Sequence, residues 1–490
     1  MAARSSWPVW VVGVALVVAI ALTGPSASAT SDPTVYVGTM SDGATYRIEV
    51  PASYNGTLFL YSHGIQGDPN LARVSSDQWT REWLLAQGFA IAGGSYACSD
   101  FCYEPKQMYP SQALVLDTFE RLVGHPARTI AWGLSAGGAV TADLLEFYPA
   151  RFAGGLAECT YIAGSIGRAN ERLDHAFVMQ QLLGFGQPLV NIGKGGGQLT
   201  RYYNAYIATV DAAQQTAVGR ARLALAEAMV DTPDWIDDPL ATQPAATDYA
   251  TRQYNQYLNS RFNGMYHDDG RASYEVRVGT WSDPSQGGDG SVTGGNFSWN
   301  TGVDYRAQLD RSASADVVHA MYAAAGLDLD ADLDSLGNAP RIGADPGTVT
   351  KVEDIDPIFS GNVGGAAVMT MHTQADPYGY PNQDQGYAQA FADAHTSSQL
   401  RQLLVHRSGH CQFTAAEQIA AIQVLVDRID HGSWPSTAAA DLNAAADAVG
   451  QPYGKLLGGP NGRAVAPAFT DEPIPAFLRN FNTHSVNPYP

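Results

Sequence analysis

Apolar runs of strand length alternate with longer amphipathic stretches over the first third of the chain. Four buried strands are predicted from the runs at 57–61, 89–94, 128–132 and 154–158. Helices are predicted between and around them, at 77–87, 111–123 and 136–148. Regular alternation of strand and helix favours a mostly parallel sheet with helices on both of its faces. The fold class indicated by the pattern is therefore α/β.

The alternation stops after residue 165 and resumes near residue 366. Strands are then predicted at 366–371 and 400–405, with helices at 383–395 and 414–430. The intervening chain is helical at 198–230 and rich in Tyr and Trp over 245–325. The simplest organisation is a sheet core from 30–165 and 360–432, a large, mainly helical cap inserted at 166–359, and a surface extension at 433–490.

The first 29 residues have the layout of a secretory signal peptide. Arg4 precedes the apolar run from Val9 to Leu22, and the small residues Ala27-Ser28-Ala29 follow. The alternative is an uncleaved membrane anchor, but the apolar run is shorter than the ~20 residues that span a bilayer. We therefore expect cleavage before Thr30, secretion, and no membrane association of the mature protein.

The charge balance excludes two classes of partner. The chain has 28 Lys and Arg against 48 Asp and Glu, a formal net charge of −20. A phosphate backbone and an anionic membrane surface both require a basic face on the protein. We therefore expect neither nucleic acid nor membrane as a partner.

Four cysteines are present in a chain that is predicted to be exported. In an oxidising environment an even number indicates two disulfides. Three pairings are possible among Cys98, Cys102, Cys159 and Cys411. Cys98 and Cys102 could close a small ring, in which case Cys159 and Cys411 would join distant parts of the chain. The spacing is not that of a zinc site.

The segment Gly133-Leu134-Ser135-Ala136-Gly137 lies between a predicted strand and a predicted helix. A Gly-x-Ser-x-Gly sequence in that context forms a sharp turn that raises the serine hydroxyl above the sheet. The alternative is an ordinary glycine-rich turn. The flanking elements favour Ser135 as a nucleophile.

A serine nucleophile needs a base and an acid that orients the base, and on this arrangement both follow it in the chain. Asp376 and His410 each come just after a predicted strand, where parallel sheets place their sites. Asp384 and His406 are the alternatives. His406 and His410 lack the Glu of a zinc-protease motif, so we predict no metal and no cofactor.

An oxyanion formed during attack on a carbonyl needs two backbone N–H donors. One is predicted from Ala136, directly after the nucleophile, and the other from Ile65, in the loop after the strand 57–61. The alternative for His63-Gly64 is an ordinary turn.

With these motifs the chain resembles the α/β-hydrolase superfamily, and in particular secreted bacterial serine esterases, over about 40–165 and 360–430. The resemblance implies an eight-stranded, mostly parallel sheet with a cap between strands six and seven. The chain is more weakly similar to tannases and feruloyl esterases, in which a disulfide joins cysteines beside the catalytic Ser and His. Leu134 stands here where that group has a cysteine. On this resemblance Cys159 is the candidate to take its place and pair with Cys411, while the sequence itself leaves the disulfide pairing open.

The sequence therefore predicts a secreted serine hydrolase that cleaves carboxylic esters through an acyl-enzyme. Its partner would be a small-molecule or polymeric ester, and the sequence specifies neither the substrate nor the oligomeric state. Two alternatives remain open. One is a serine peptidase on the same fold, and the other is a binding protein that kept the fold without catalysis.

Overall fold

The structure is a computed structural model of the 490-residue chain. It describes residues 32–66, 68, 70–97, 105–190, 198–262, 266–267, 271–272, 295–354, 359–457 and 462–479. The predicted signal peptide, and the predicted disulfide between Cys98 and Cys102, lie outside these residues.

The strands are short, and most of them belong to one sheet. They are β1 (Thr34–Thr39), β2 (Thr45–Val50), β3 (Thr57–Ser62), β4 (Ala90–Gly94), β5 (Arg128–Leu134), β6 (Gly154–Glu158), β7 (Tyr266–His267), β8 (Arg271–Ala272), β9 (Ala367–Ala375), β10 (Leu400–Ser408) and β11 (Phe469–Thr470). Strands β7 and β8 pair with each other. The other nine form a sheet in the order β1-β2-β4-β3-β5-β6-β9-β10-β11.

The sheet is mostly parallel, as predicted. Strands β4, β3, β5, β6, β9 and β10 are parallel to their neighbours in that group. The pairings β1–β2, β2–β4 and β10–β11 are antiparallel. The described sheet has nine strands rather than the eight expected. The additional strand is β11, a two-residue segment that has no apolar run of its own and forms by pairing with β10.

The helices occupy both faces of the sheet and the long connection between β6 and β9. They are α1 (Gln78–Ala86), α2 (Pro105–Leu122), α3 (Ala136–Phe147), α4 (Gly164–Leu183), α5 (Gln198–Gln214), α6 (Ala217–Ala228), α7 (Tyr249–Phe262), α8 (Tyr305–Arg311), α9 (Ala315–Ala325), α10 (Leu329–Asn338), α11 (Pro346–Glu353), α12 (Asn382–Asp393), α13 (Ala415–His431) and α14 (Ala439–Val449).

Two apolar layers sandwich the sheet because successive side chains of a strand point to opposite faces. In β3, Leu58 and Leu60 pack in one layer with α2, α3 and α12. Phe59 and Tyr61 pack in the other layer with α1, α13 and α14. The apolar residues from Leu58 to Tyr61 are thus buried on both faces of the sheet, as is typical of a parallel sheet covered by helices.

The connection between β6 and β9 carries α4 to α11. Most of these helices pack around an apolar cluster of their own, which includes Phe177, Tyr206, Leu225 and Val318. Among the residues that the structure describes, no helix combines the length and the apolarity needed to cross a bilayer.

The described part of 433–490 is mostly exposed or partly exposed, and a few of its side chains are buried. Leu442 of α14 and Phe469 of β11 are buried against the sheet. Arg479 is also buried and forms an ion pair with Asp174 of α4. A few buried side chains therefore anchor this segment to the sheet and to α4.

Candidate active site

The turn at Ser135 is built as the sequence motif predicts. Strand β5 ends at Leu134 and α3 begins at Ala136, while Ser135 between them has φ 57° and ψ −128°. A Cβ atom on Gly133 would lie 2.2 Å from the carbonyl oxygen of Gly137, and one on Gly137 would lie 1.9 Å from that of Ser62. Both flanking positions therefore require glycine. The turn raises the Ser135 hydroxyl at the carboxyl end of the sheet.

The three side chains expected to form a triad lie in one chain of hydrogen bonds. Nε2 of His410 is 2.9 Å from Oγ of Ser135. Nδ1 of His410 is 2.8 Å from Oδ2 and 3.0 Å from Oδ1 of Asp376. This is the geometry in which an imidazole can take a proton from a serine hydroxyl while a carboxylate holds its other nitrogen.

Asp376 follows β9 and is completely buried. Besides His410, its Oδ1 accepts the backbone N–H groups of Tyr378 at 2.8 Å and Gly379 at 3.0 Å. Three donors thus fix the carboxylate. The alternative acid, Asp384, is elsewhere: its Oδ2 is 2.9 Å from Nδ1 of His372.

The alternative base, His406, also lies away from Ser135. Its Nδ1 is 2.6 Å from Oε1 of Gln374, and its ring packs 5.1 Å from that of Trp235. His410 reaches the site because the chain leaves β10 through Gly409, which has φ 98°.

The described part of the chain contains a disulfide between Cys159 and Cys411, with the Cα atoms 5.2 Å apart. Cys159 directly follows β6, and Cys411 directly follows His410. One of the pairings that the sequence left open is thus present in the structure. It ties the His410 turn to the end of β6, next to the strand that carries Ser135.

The loop predicted to supply an oxyanion donor lies beside the nucleophile. A Cβ atom on Gly64 would be 3.0 Å from Cβ and 3.5 Å from Oγ of Ser135. Tyr96 supports this loop, because its hydroxyl donates to the carbonyl oxygen of His63 at 2.7 Å. Burial lowers the pKa of His63 to about 4, so its imidazole is neutral at ordinary pH. The donor roles of Ile65 and Ala136 stay predictions.

Within the described residues, Cys159, His410 and Cys411 form a group of potential metal ligands. Both sulfurs are in the disulfide, so in this state the group offers no thiolate. The expectation of no metal stays a prediction.

Two supporting contacts were not predicted from the sequence. Thr160 donates from Oγ1 to the carbonyl oxygen of Ser135 at 2.6 Å. The ring of Tyr378 packs 5.2 Å from that of His410. Neither residue lies in a recognisable motif, and only its position after a strand end could have indicated it.

The strand order, the strained serine turn after β5 and the convergence of Ser135, His410 and Asp376 define an α/β-hydrolase of the serine hydrolase class. The chain is 30% identical over 446 residues to the o-phthalyl amidase of Xanthobacter agilis, and the match covers 84% of this chain and 91% of that protein. The chain belongs to the family of that amidase. No established family profile matches it.

A comparison with solved structures matches feruloyl esterase B from Aspergillus oryzae, with 16% identity and a TM-score of 0.36 over 82% of this chain and 80% of that one. An esterase from the same organism has 12% identity and a TM-score of 0.38 over the same shares. The acylaminoacyl peptidase of Pyrococcus horikoshii has 9% identity and a TM-score of 0.35, over 78% of this chain and 38% of that one.

Proposed function

We propose that the protein is an exported serine hydrolase that cleaves carboxylic acyl bonds, esters included, through an acyl-enzyme. The observation that carries the proposal is the continuous hydrogen-bond chain from Ser135 through His410 to Asp376. Export is proposed from the signal-peptide pattern of residues 1–29. The Cys159–Cys411 disulfide supports it, since disulfides persist mainly outside the cytosol.

The mechanism follows from the roles that this geometry permits. Oγ of Ser135 attacks the carbonyl carbon while Nε2 of His410 takes its proton, and Asp376 stabilises the imidazolium that forms. The backbone N–H groups of Ala136 and Ile65 donate to the oxyanion. His410 then protonates the leaving group, and a water molecule, activated by His410 in turn, hydrolyses the acyl-enzyme.

An amide is the second candidate for the bond that is cleaved. The observation that favours it is the amidase at 30% identity, which matches along most of both chains. A triad that cleaves amides also cleaves esters of the same acid, because an alkoxide or phenolate leaves more readily than an amine. An amide of an aromatic acid, as in an o-phthalyl group, is therefore the first substrate to test.

The test uses two matched substrates, the p-nitroanilide and the p-nitrophenyl ester of the same aromatic acid, with mass spectrometry to detect acylation. We expect release of p-nitrophenol and an acyl adduct on Ser135, and turnover of the anilide if the amide is the natural bond. In the Ser135→Ala variant kcat should fall by at least roughly 10³-fold with the fold intact. Full turnover by that variant would refute the mechanism. Cleavage of the ester alone would exclude the amidase.

A further inference from the structure

The first helix of the insertion, α4, carries charged side chains that are buried against the catalytic core. We call residues 376–383 the acid loop, since they run from Asp376 to the start of α12. Two adjacent residues of α4, Glu171 and Arg172, are 0% and 5% exposed and bind this loop. Burying charged side chains costs free energy unless they are hydrogen-bonded. The hydrogen-bond partners of Glu171 and Arg172 therefore indicate the structural role of these two residues.

Glu171 binds the far end of the acid loop. Nδ2 of Asn382 donates to Oε1 of Glu171 at 2.8 Å, and Nε2 of Gln383 donates to Oε2 at 3.0 Å. Both amides are completely buried. Burial raises the pKa of Glu171 to about 8, while Arg172 and the two amides oppose that rise.

Arg172 binds the middle of the acid loop. Its Nη1 donates to the hydroxyl of Tyr380 at 2.7 Å, and its guanidinium carbon lies 4.1 Å from the centre of the Tyr380 ring. Tyr380 is 2% exposed, so these contacts with Arg172 of α4 hold its side chain in place. Within the acid loop, Tyr380 follows directly on Gly379, whose N–H binds the carboxylate of Asp376.

We propose that Glu171 and Arg172 are positioning residues that hold the acid loop, and with it the carboxylate of Asp376, in register with His410. The proposal rests on the function proposed above for the triad. A displacement of a catalytic group by about 1 Å can cost roughly 10²-fold in rate, so anchoring of this loop acts on catalysis. The insertion would then be part of the catalytic apparatus, not only a cover for the substrate.

The experiment measures the rate constant for modification of Ser135 by a fluorophosphonate in the full mature chain. This probe needs the triad but not the natural substrate, so it separates failure of the positioning role from failure of the substrate assignment. We expect Glu171→Ala to lower the rate constant roughly 10- to 10²-fold. Tyr380→Phe, which keeps the ring that packs on Arg172, should lower it by a smaller factor.

Two variants distinguish positioning from general stability. Glu171→Gln keeps an amide that can exchange hydrogen bonds with Asn382 and Gln383, and it should restore most of the rate. Asp174→Ala removes another buried carboxylate of α4, whose partners, Tyr305, Gln308 and Arg479, lie outside the acid loop. It should lower the Tm and leave the rate constant unchanged. With a p-nitrophenyl ester, Glu171→Ala should lower kcat and leave KM nearly unchanged.

The proposal is overturned if the fluorophosphonate modifies Glu171→Ala and Tyr380→Phe at the wild-type rate. It is also overturned if Asp174→Ala lowers the rate constant for modification as much as Glu171→Ala does. Should Glu171→Ala fail to fold, Tyr380→Phe and Glu171→Gln decide the matter by the same rate constant. Absence of modification in the wild-type protein would overturn the proposed function itself, and this role with it.

Discussion

Nδ1 of His372 lies 2.9 Å from Oδ2 of Asp384, and both side chains are completely buried. The described residues near β9 thus include two His–Asp contacts, His410 with Asp376 at the site and His372, within β9, with Asp384 of α12. Asp384 also accepts a hydrogen bond from Thr370 at 3.2 Å. The carboxylate of Asp384 therefore binds side chains of the core, and Asp376 is the aspartate that orients His410.

The two aspartates should respond differently to the same substitution. Asp376→Asn removes the carboxylate that orients His410, and we expect kcat to fall roughly 10⁴-fold, as loss of a triad acid does in serine hydrolases. Asp384→Asn should leave kcat within a small factor and lower the stability. Steady-state kinetics with a p-nitrophenyl ester and urea denaturation of both variants check this. A larger loss of kcat in Asp384→Asn would reverse the assignment.

The buried carboxyl group of Glu158 should make the free energy of unfolding depend on pH. Burial raises its pKa to about 8, although Trp132 at 2.8 Å and Gln418 at 2.7 Å donate to its Oε2. Between its ordinary pKa and 8 the folded state therefore holds a proton that the unfolded state has lost. The free energy of unfolding contributed by this group falls as pH rises through that window.

The Glu158→Gln variant should flatten this fall. Urea denaturation at pH 5.5 and pH 8 would show a smaller difference between the two pH values than in the wild type. Glu82→Gln, the same change at an exposed position of α1, is the matched control and should keep the wild-type dependence. An unchanged slope in Glu158→Gln would show that this carboxyl ionises normally.

The Cys159–Cys411 disulfide closes a loop with a sequence separation of 252 and borders His410. The double variant Cys159→Ser/Cys411→Ser should lose about 2–4 kcal/mol of stability. Its kcat should also be lower than that of the wild type, because no covalent bond then holds the His410 turn to the end of β6. Urea denaturation and ester kinetics measure the two effects. The double variant Cys98→Ser/Cys102→Ser is the control, and an equal loss of kcat there would refute the local role.

Strands and helices of the sheet core are predicted from the local pattern of apolar and polar residues. The helix predicted at 136–148 is observed at Ala136–Phe147, and the strand predicted at 154–158 is observed with the same bounds. Apolar runs of strand length and amphipathic stretches report burial directly, because period and length are properties of neighbouring residues. For the same reason Gly133 and Gly137 marked the serine turn, where any side chain would collide with backbone.

The sequence by itself determined the alternation of strand and helix, the serine turn and the two strand ends from which an acid and a base would come. It favoured Asp376 over Asp384 and His410 over His406, but it did not show which member of each pair lies beside Ser135, since each pair lies within one short segment. Nor did it indicate β11 or the contacts of Glu171 with the acid loop. Those depend on partners far apart in the chain, 211 positions for Glu171 and Asn382 and 275 for Ser135 and His410. Such partners meet only through packing of the whole sheet and its helices, which no local pattern encodes.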